Sequence, residues 1–213
     1  MVEDEAKEGW EGGCMNLGEL RVTFIVVTAV LTLLVASPAL SYVLVYPRTE
    51  FFTELWLLGP EHMAEDYPFN VSRGQSYSVY LGVGNQLGYC AYYVVEVKFR
   101  NESQPAPDSF NRTSSGLPSL FNVTAFVADE GSWELPVTVS FDYGFNQSGL
   151  EVEFHDMRFN DVVLDLGGLK TAWNSTTSRF YGNLLFELWL FNATSSSFQY
   201  HERYVDLKLN MTY

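Results

Sequence analysis

From position 22 to position 46 the chain reads VTFIVVTAVLTLLVASPALSYVLVY, twenty-five residues without one charge. No other feature of the sequence restricts the fold as strongly. As an α-helix the run is about 37 Å long, enough to cross a hydrocarbon layer of about 30 Å. Surface helices of water-soluble domains alternate apolar and polar faces, and this run has no polar face. A retained transmembrane helix, a signal anchor, is therefore expected over residues 22–46, with a tail at residues 1–21 and a domain at residues 47–213. A cleaved secretory signal competes with this reading. Residues 22–35 supply an apolar stretch, Pro38 a helix breaker, and Ala39-Leu40-Ser41 a small-x-small cleavage site. The preceding tail opposes cleavage, because it holds six acids against Lys7 and Arg21, whereas a signal starts positively charged. Arg21 and Arg48 flank the run on both sides, so loop charge does not orient it.

Orientation comes from asparagines. Asn-x-Ser/Thr, with x not proline, occurs at Asn70, Asn101, Asn111, Asn122, Asn146, Asn174, Asn192 and Asn210, eight of the twelve asparagines present. With Ser and Thr at 31 of 213 residues, chance would give fewer than two. All eight lie downstream of the apolar run. An N-linked sugar is bulky and hydrated, so its asparagine must face solvent on the extracellular side. Asn122 and Asn210 fall on the outward phase of apparent strands, opposite Val123 and Leu209, while Asn101, Asn111, Asn146 and Asn174 fall in loop-like stretches. The abundance of turn residues accounts for some loop sites but not for the two on strands. The expectation is a cell-membrane protein with residues 1–21 in the cytoplasm and an extracellular, glycosylated C-terminal domain.

That domain reads as strands separated by turns, without helical periodicity. Val79, Leu81 and Val83 share one phase, and Tyr93, Val95, Val97 and Phe99 another, which predicts a hairpin through GNQLG. Residues 101–118, with three prolines and two sequons, predict an exposed, mobile loop. Alternation continues over residues 121–127, 135–143 and 150–154, then at 184–191 and 204–211. With residues 51–58 and 162–166 added, about nine strands predict an all-β antiparallel sandwich of immunoglobulin-like or jelly-roll character, in one domain.

Within it, the segments Phe52-Thr53-Glu54, Leu58-Gly59-Pro60, Ala64-Glu65-Asp66-Tyr67-Pro68, Val95-Glu96-Val97 and Gly131-Ser132-Trp133 carry a resemblance. They are similar to the C-terminal part of an archaeal membrane-protein family known only as a domain of unknown function (number sixteen-sixteen). The likeness implies that the apolar run is retained in a membrane and that the source is archaeal. It implies no catalytic residues. Relatives commonly carry several N-terminal spans, where this chain has room for one.

Chemistry is sparsely signalled. A formal net charge of −14, with no basic run, excludes a nucleic-acid binder. The two cysteines, Cys14 and Cys90, flank the apolar run and cannot pair within a chain that spans a bilayer. His62 lies near Glu61, Glu65 and Asp66, a set of hard-cation ligands that a solvated turn explains with fewer assumptions. Glu151, Glu153 and His155 would share one face of a strand, as a carboxylate pair for glycoside hydrolysis requires. Such alternation is also how an exposed strand avoids sticking to its neighbours. Among the aromatics, Tyr89, Tyr92, Tyr93, Trp133, Trp173 and Trp189 include candidate platforms for sugar rings, with Tyr92 and Tyr80 on outward phases. No nucleophile elbow, phosphate loop or zinc spacing is present, so no cofactor and no metal are expected. The reading is a single-pass glycoprotein with a binding or envelope-structural role, and an envelope glycan or protein as its partner besides the membrane. A glycan-processing enzyme and a secreted filament subunit cleaved after Ser41 are the alternatives.

Overall fold

The computed structural model describes residues 17–44, 50–146, 148 and 150–213. Cys14 and most of the expected tail lie outside them. The chain divides into two units, Met1–Glu50 and Phe51–Tyr213.

The first unit contains helix α1, Leu17–Leu44, with 28 residues. At about 42 Å it is long enough to cross a membrane, and its apolar composition suits that environment. Two polar side chains within the apolar run are satisfied internally. The hydroxyls of Thr28 and Thr32 donate to the carbonyls of Phe24 and Thr28, both at 2.7 Å. The backbone stays helical through position 38 to Leu44, so Pro38 does not end the helix as a breaker would. Apolar helices tolerate an interior proline where side chains and local adjustment satisfy the freed backbone groups.

The second unit is a β-sandwich. Its strands are β1 (Phe52–Leu58), β2 (Asn70–Ser72), β3 (Tyr77–Gln86), β4 (Ala91–Asn101), β5 (Phe121–Val127), β6 (Ser132–Phe145), β7 (Glu151–Phe159), β8 (Val162–Asp165), β9 (Lys170–Ala172), β10 (Tyr181–Asn192) and β11 (Ser197–Thr212). One sheet has the order β1-β3-β6-β7-β8, with β9 also on β7; the other runs β2-β11-β10-β4-β5. Every pairing is antiparallel except β2 with β11. Alternate residues of facing strands fill the core as the period of two requires. Val79, Leu81 and Val83 from one sheet and Tyr93, Val95, Val97, Leu184, Phe186 and Leu188 from the other are all essentially inaccessible.

The expected hairpin of β3 and β4 does not form, because the two strands belong to opposite sheets. Alternation tells which side chains face the core, but not whether the next strand lies beside or across it. The buried side chain of Asn85 directs the chain across. Its two amide hydrogens are shared among the carbonyls of Tyr89, Val127 and Ala128, at 2.8, 3.0 and 3.2 Å. Its Oδ1 accepts from the Leu87 amide and the Tyr93 hydroxyl, at 3.2 and 3.1 Å. A second polar tie joins the sheets elsewhere, where the hydroxyl of the buried Tyr143 of β6 shares its one hydrogen between the carbonyls of Val71 and Thr212, each 2.7 Å away.

Glycines matter where backbones crowd. A Cβ on Gly59 would lie 1.9 Å from the Glu65 carbonyl oxygen, so the turn after β1 closes only around glycine. The strands β2 and β9, three residues each, were not expected, since so short a stretch has no readable period.

The loop over residues 102–120 is also not the free excursion that its composition suggests. Lys98 (2 % exposed) and Glu187 (0 %) form an ion pair of 2.7 Å on the outward phase of β4 and β10, and Glu96 approaches the same ammonium at 2.9 Å. The loop is fastened to this pair by the Ser115 amide, which donates to the second oxygen of Glu187 at 2.9 Å. Breaking a buried pair from one side leaves a desolvated charge, so Lys98→Met should destabilise the domain by about 3–5 kcal/mol. Lys98→Met with Glu187→Met should recover only part of that loss, because it also removes the acceptor of the Ser115 amide. Urea unfolding of both variants checks the pair.

Candidate functional site

The outer face of the β2-β11-β10-β4-β5 sheet changes character along its strands. Around Lys98, Glu187 and Leu185 it is buried. Towards the end marked by Tyr92, Phe191 and Phe126 it opens into an aromatic groove of about 670 Å³. Tyr92, Phe191 and Phe198 pack as a trio, tilted where Tyr92 meets the two phenylalanines and edge-to-face between those two, with ring centroids 5.3–6.2 Å apart. Phe126 is 69 % exposed and Tyr89 54 %. Strand register explains the grouping. Phe191 pairs with Phe198 and Trp189 with Tyr200 across β10 and β11, and Tyr92 pairs with Phe126 across β4 and β5. Each pair therefore projects from one face.

Tyr200 and His201 carry the polar chemistry of the groove. Burial, followed by the charge of Glu187, pushes the Tyr200 phenol up to about 12, so it stays a hydrogen-bond donor at any physiological pH. Its hydroxyl and the Trp189 indole nitrogen are buried without a protein partner among the described residues. His201 heads a buried relay into the core. Its Nε2 lies 2.8 Å from Thr53 Oγ1, which is 3.2 Å from the Tyr93 hydroxyl, which donates to Asn85. Because Tyr93 donates onward, the consistent arrangement has Thr53 donating to Tyr93 and His201 donating from Nε2. Cys90, the free thiol among the described residues, is exposed on the groove wall.

The sequence-based candidates fall into groups. Tyr92 and Tyr80 face outward as expected, Tyr92 in the groove and Tyr80 beneath the His62 ring at a centroid distance of 3.5 Å. Tyr93 is core, and Trp173 stands at the surface with its edge against Phe180. His62 is tied to Glu134 at 2.9 Å, a residue of β6 rather than of its own acidic turn. Among the described residues no three His, Cys, Asp or Glu side chains are placed to hold a metal. Glu151 and His155 are exposed on one face of β7 and Glu153 is half-buried there. The two carboxylates already engage Asn146 at 3.3 Å and Lys170 at 3.4 Å.

Of the sequon asparagines, Asn70, Asn111, Asn122 and Asn146 are exposed, and Asn101, Asn174 and Asn192 are half-buried. Asn210 departs from its expected outward phase. It is only 9 % exposed, donates to Asn70 at 2.9 Å and accepts from the Phe180 amide at 3.2 Å. The β2-β11 pairing causes this, since it covers the end of a strand that alternation alone leaves open. At Asn101, Asn174 and Asn192 the side-chain oxygen accepts the backbone N–H two residues on, an Asx turn spanning the sequon. The groove residues Phe126, Phe191, Tyr200 and His201, and Phe198 packed beside them, were not singled out from sequence. Their signal was the aromatic alternation on both sides of the turn that starts at Asn192.

The chain belongs to the family described as Domain of unknown function (DUF1616), which matches residues 47–161, just over half of its length. No curated protein matches it. Three crystal structures of a β-glucosidase from Listeria innocua, with glucose, gluconolactone and isofagomine, are similar at 9 % identity and TM-scores of 0.33, 0.32 and 0.32. Each alignment covers 78 % of this chain and 17 % of the enzyme, so the chain spans about a sixth of that protein's length. At such TM-scores the likeness transfers neither fold nor activity.

Protonation of His201 should be visible in stability. Burial, then the Arg203 guanidinium, holds its imidazole below the ordinary value of about 6.5. The unfolded chain therefore binds the proton first, and stability present above that value is lost as pH falls through the folded-state value. The urea midpoint should drop between neutral pH and pH 5, and His201→Gln should flatten that part of the curve. An unchanged slope in the variant would remove His201 as its source.

Proposed function

We propose that this is a single-pass, N-glycosylated cell-surface protein of archaeal type, whose β-sandwich stands outside the membrane and serves a binding or envelope-structural role. The helix α1 is the anchor and the acidic N-terminal tail is cytoplasmic. The observation that carries the reading is the one-sided distribution of sequons. Eight follow the apolar run and none precedes it, and seven of the eight asparagines are exposed or half-buried. An envelope glycan or protein is the expected partner. The acceptors are Asn70, Asn101, Asn111, Asn122, Asn146, Asn174, Asn192 and Asn210, of which Asn210 is the least accessible in the folded domain.

Intact-mass measurement of protein purified from its native membranes, before and after chemical deglycosylation, tests the reading. The untreated mass should exceed the 24.2 kDa of the polypeptide and return to it after treatment. A mass of 24.2 kDa in both samples would refute glycosylation. A chain beginning at Tyr42 would replace the anchored protein with the secreted one.

A further inference from the structure

Asn101, Asn174 and Asn192 are all half-buried sequon asparagines that line grooves, and the groove at Asn192 is the one lined by several aromatic rings. Asn192 ends β10 on the wall of the aromatic groove, together with Ala193 and Gln199. Its Oδ1 accepts the backbone amides of Thr194 and Ser195, at 2.9 and 3.4 Å. One hydrogen of its Nδ2 is held by Gln199 Oε1 at 3.1 Å. Nδ2 carries a second hydrogen, so a sugar attached in its place leaves all of these bonds intact. The side chain is thereby fixed before a sugar is added. Asn111 and Asn122 are exposed, and a sugar on either extends into solvent. Asn192 is half-buried at a groove wall, which restricts the direction in which its sugar can leave.

We infer that the glycan carried by Asn192 lies back along this groove, with its first sugar rings covering Tyr92 and Phe191. The inference rests on the glycosylation reading above. Three features fit the sugar to the groove. Large rings left bare to water at this density are unfavourable, and Tyr92 and Phe191 are each nearly two-fifths exposed. A pyranose ring has one face of C–H groups that packs on the electron-rich face of an aromatic ring, while its hydroxyls stay hydrated at the rim. The volume of about 670 Å³ falls within the range of about 300–1,000 Å³ typical of small-molecule sites. The sugar then acts as part of the domain. It fills the aromatic groove from within the same molecule, at the high effective concentration that covalent attachment provides.

The test compares the full-length protein with Thr194→Ala, Tyr92→Ala and the double variant, all purified from native membranes. Thr194→Ala removes the sequon while leaving Asn192 and the backbone amide that it accepts. Glycopeptide mass spectrometry first reports whether Asn192 carries a sugar. With the glycan seated, Thr194→Ala lowers the Tm by about 2–4 °C, and Tyr92→Ala costs clearly less in the Thr194→Ala background than in the parent. If Asn192 is occupied but Thr194→Ala leaves the Tm unchanged and the two effects add, the seating is overturned while glycosylation stands. If Asn192 is bare while other sequons carry sugar, the inference fails and the surface-glycoprotein reading survives. If every sequon is bare, both fall.

Discussion

The sandwich depends on a line of buried polar groups that joins its two sheets. Asn85 and Thr53 come from β3 and β1 of one sheet, Tyr93 and His201 from β4 and β11 of the other, and each is bonded to the next. Buried polar groups are costly when unpaired and specific when fully paired. Asn85 alone meets three carbonyls, an amide and a phenol. This set is satisfied with β3 and β4 in opposite sheets, so the line supports the crossing from β3 to β4 and ties the two sheets together. The register of β1 on β3, with Thr53 opposite Asn85, follows from the same contacts.

The line also places the groove. Tyr93 fixes β4, and its neighbour Tyr92 points the opposite way into the aromatic trio. His201 fixes β11 one residue beyond Tyr200, close to the bulge between Leu188 and Trp189 that changes the register of β10 and β11. Further along the same sheet, the Lys98–Glu187 pair holds the long loop down through Ser115. One outer surface thus has a covered part and an open part, each set by a buried polar contact rather than by apolar packing.

Much of the architecture was legible because it rests on local periods. The apolar run gave the helix, and alternation assigned Val79, Leu81, Val95 and Val97 to the core and Asn122 to the outside. What failed depended on partners distant in sequence. The β3–β4 hairpin was misread because Asn85, an ordinary turn residue by composition, has its carbonyl partners at positions 127 and 128. Asn210 was misread because its cover is a three-residue strand at 70–72. The loop at 102–120 looked free because Lys98 and Glu187 look like ordinary outward charges until they are brought together. The groove was missed for the same reason, since Tyr92 lies about a hundred residues from Phe191. The family segments that carried the resemblance now have structural roles. Thr53 belongs to the buried line, Gly59 permits the turn after β1, Tyr67 donates to the Leu57 carbonyl at 2.7 Å, and the Gly131 carbonyl receives the Asn85 amide at 2.9 Å.

Hydrogen exchange of the Asn85→Ala variant, under conditions where it remains folded, tests the dependence on this line most directly. Protection should fall together in residues 87–93, 125–131 and 199–203, which are separate in sequence and each touch this line of side chains, while residues 150–159 keep theirs. Loss confined to residues 85–90, with 199–203 unaffected, would contradict the account.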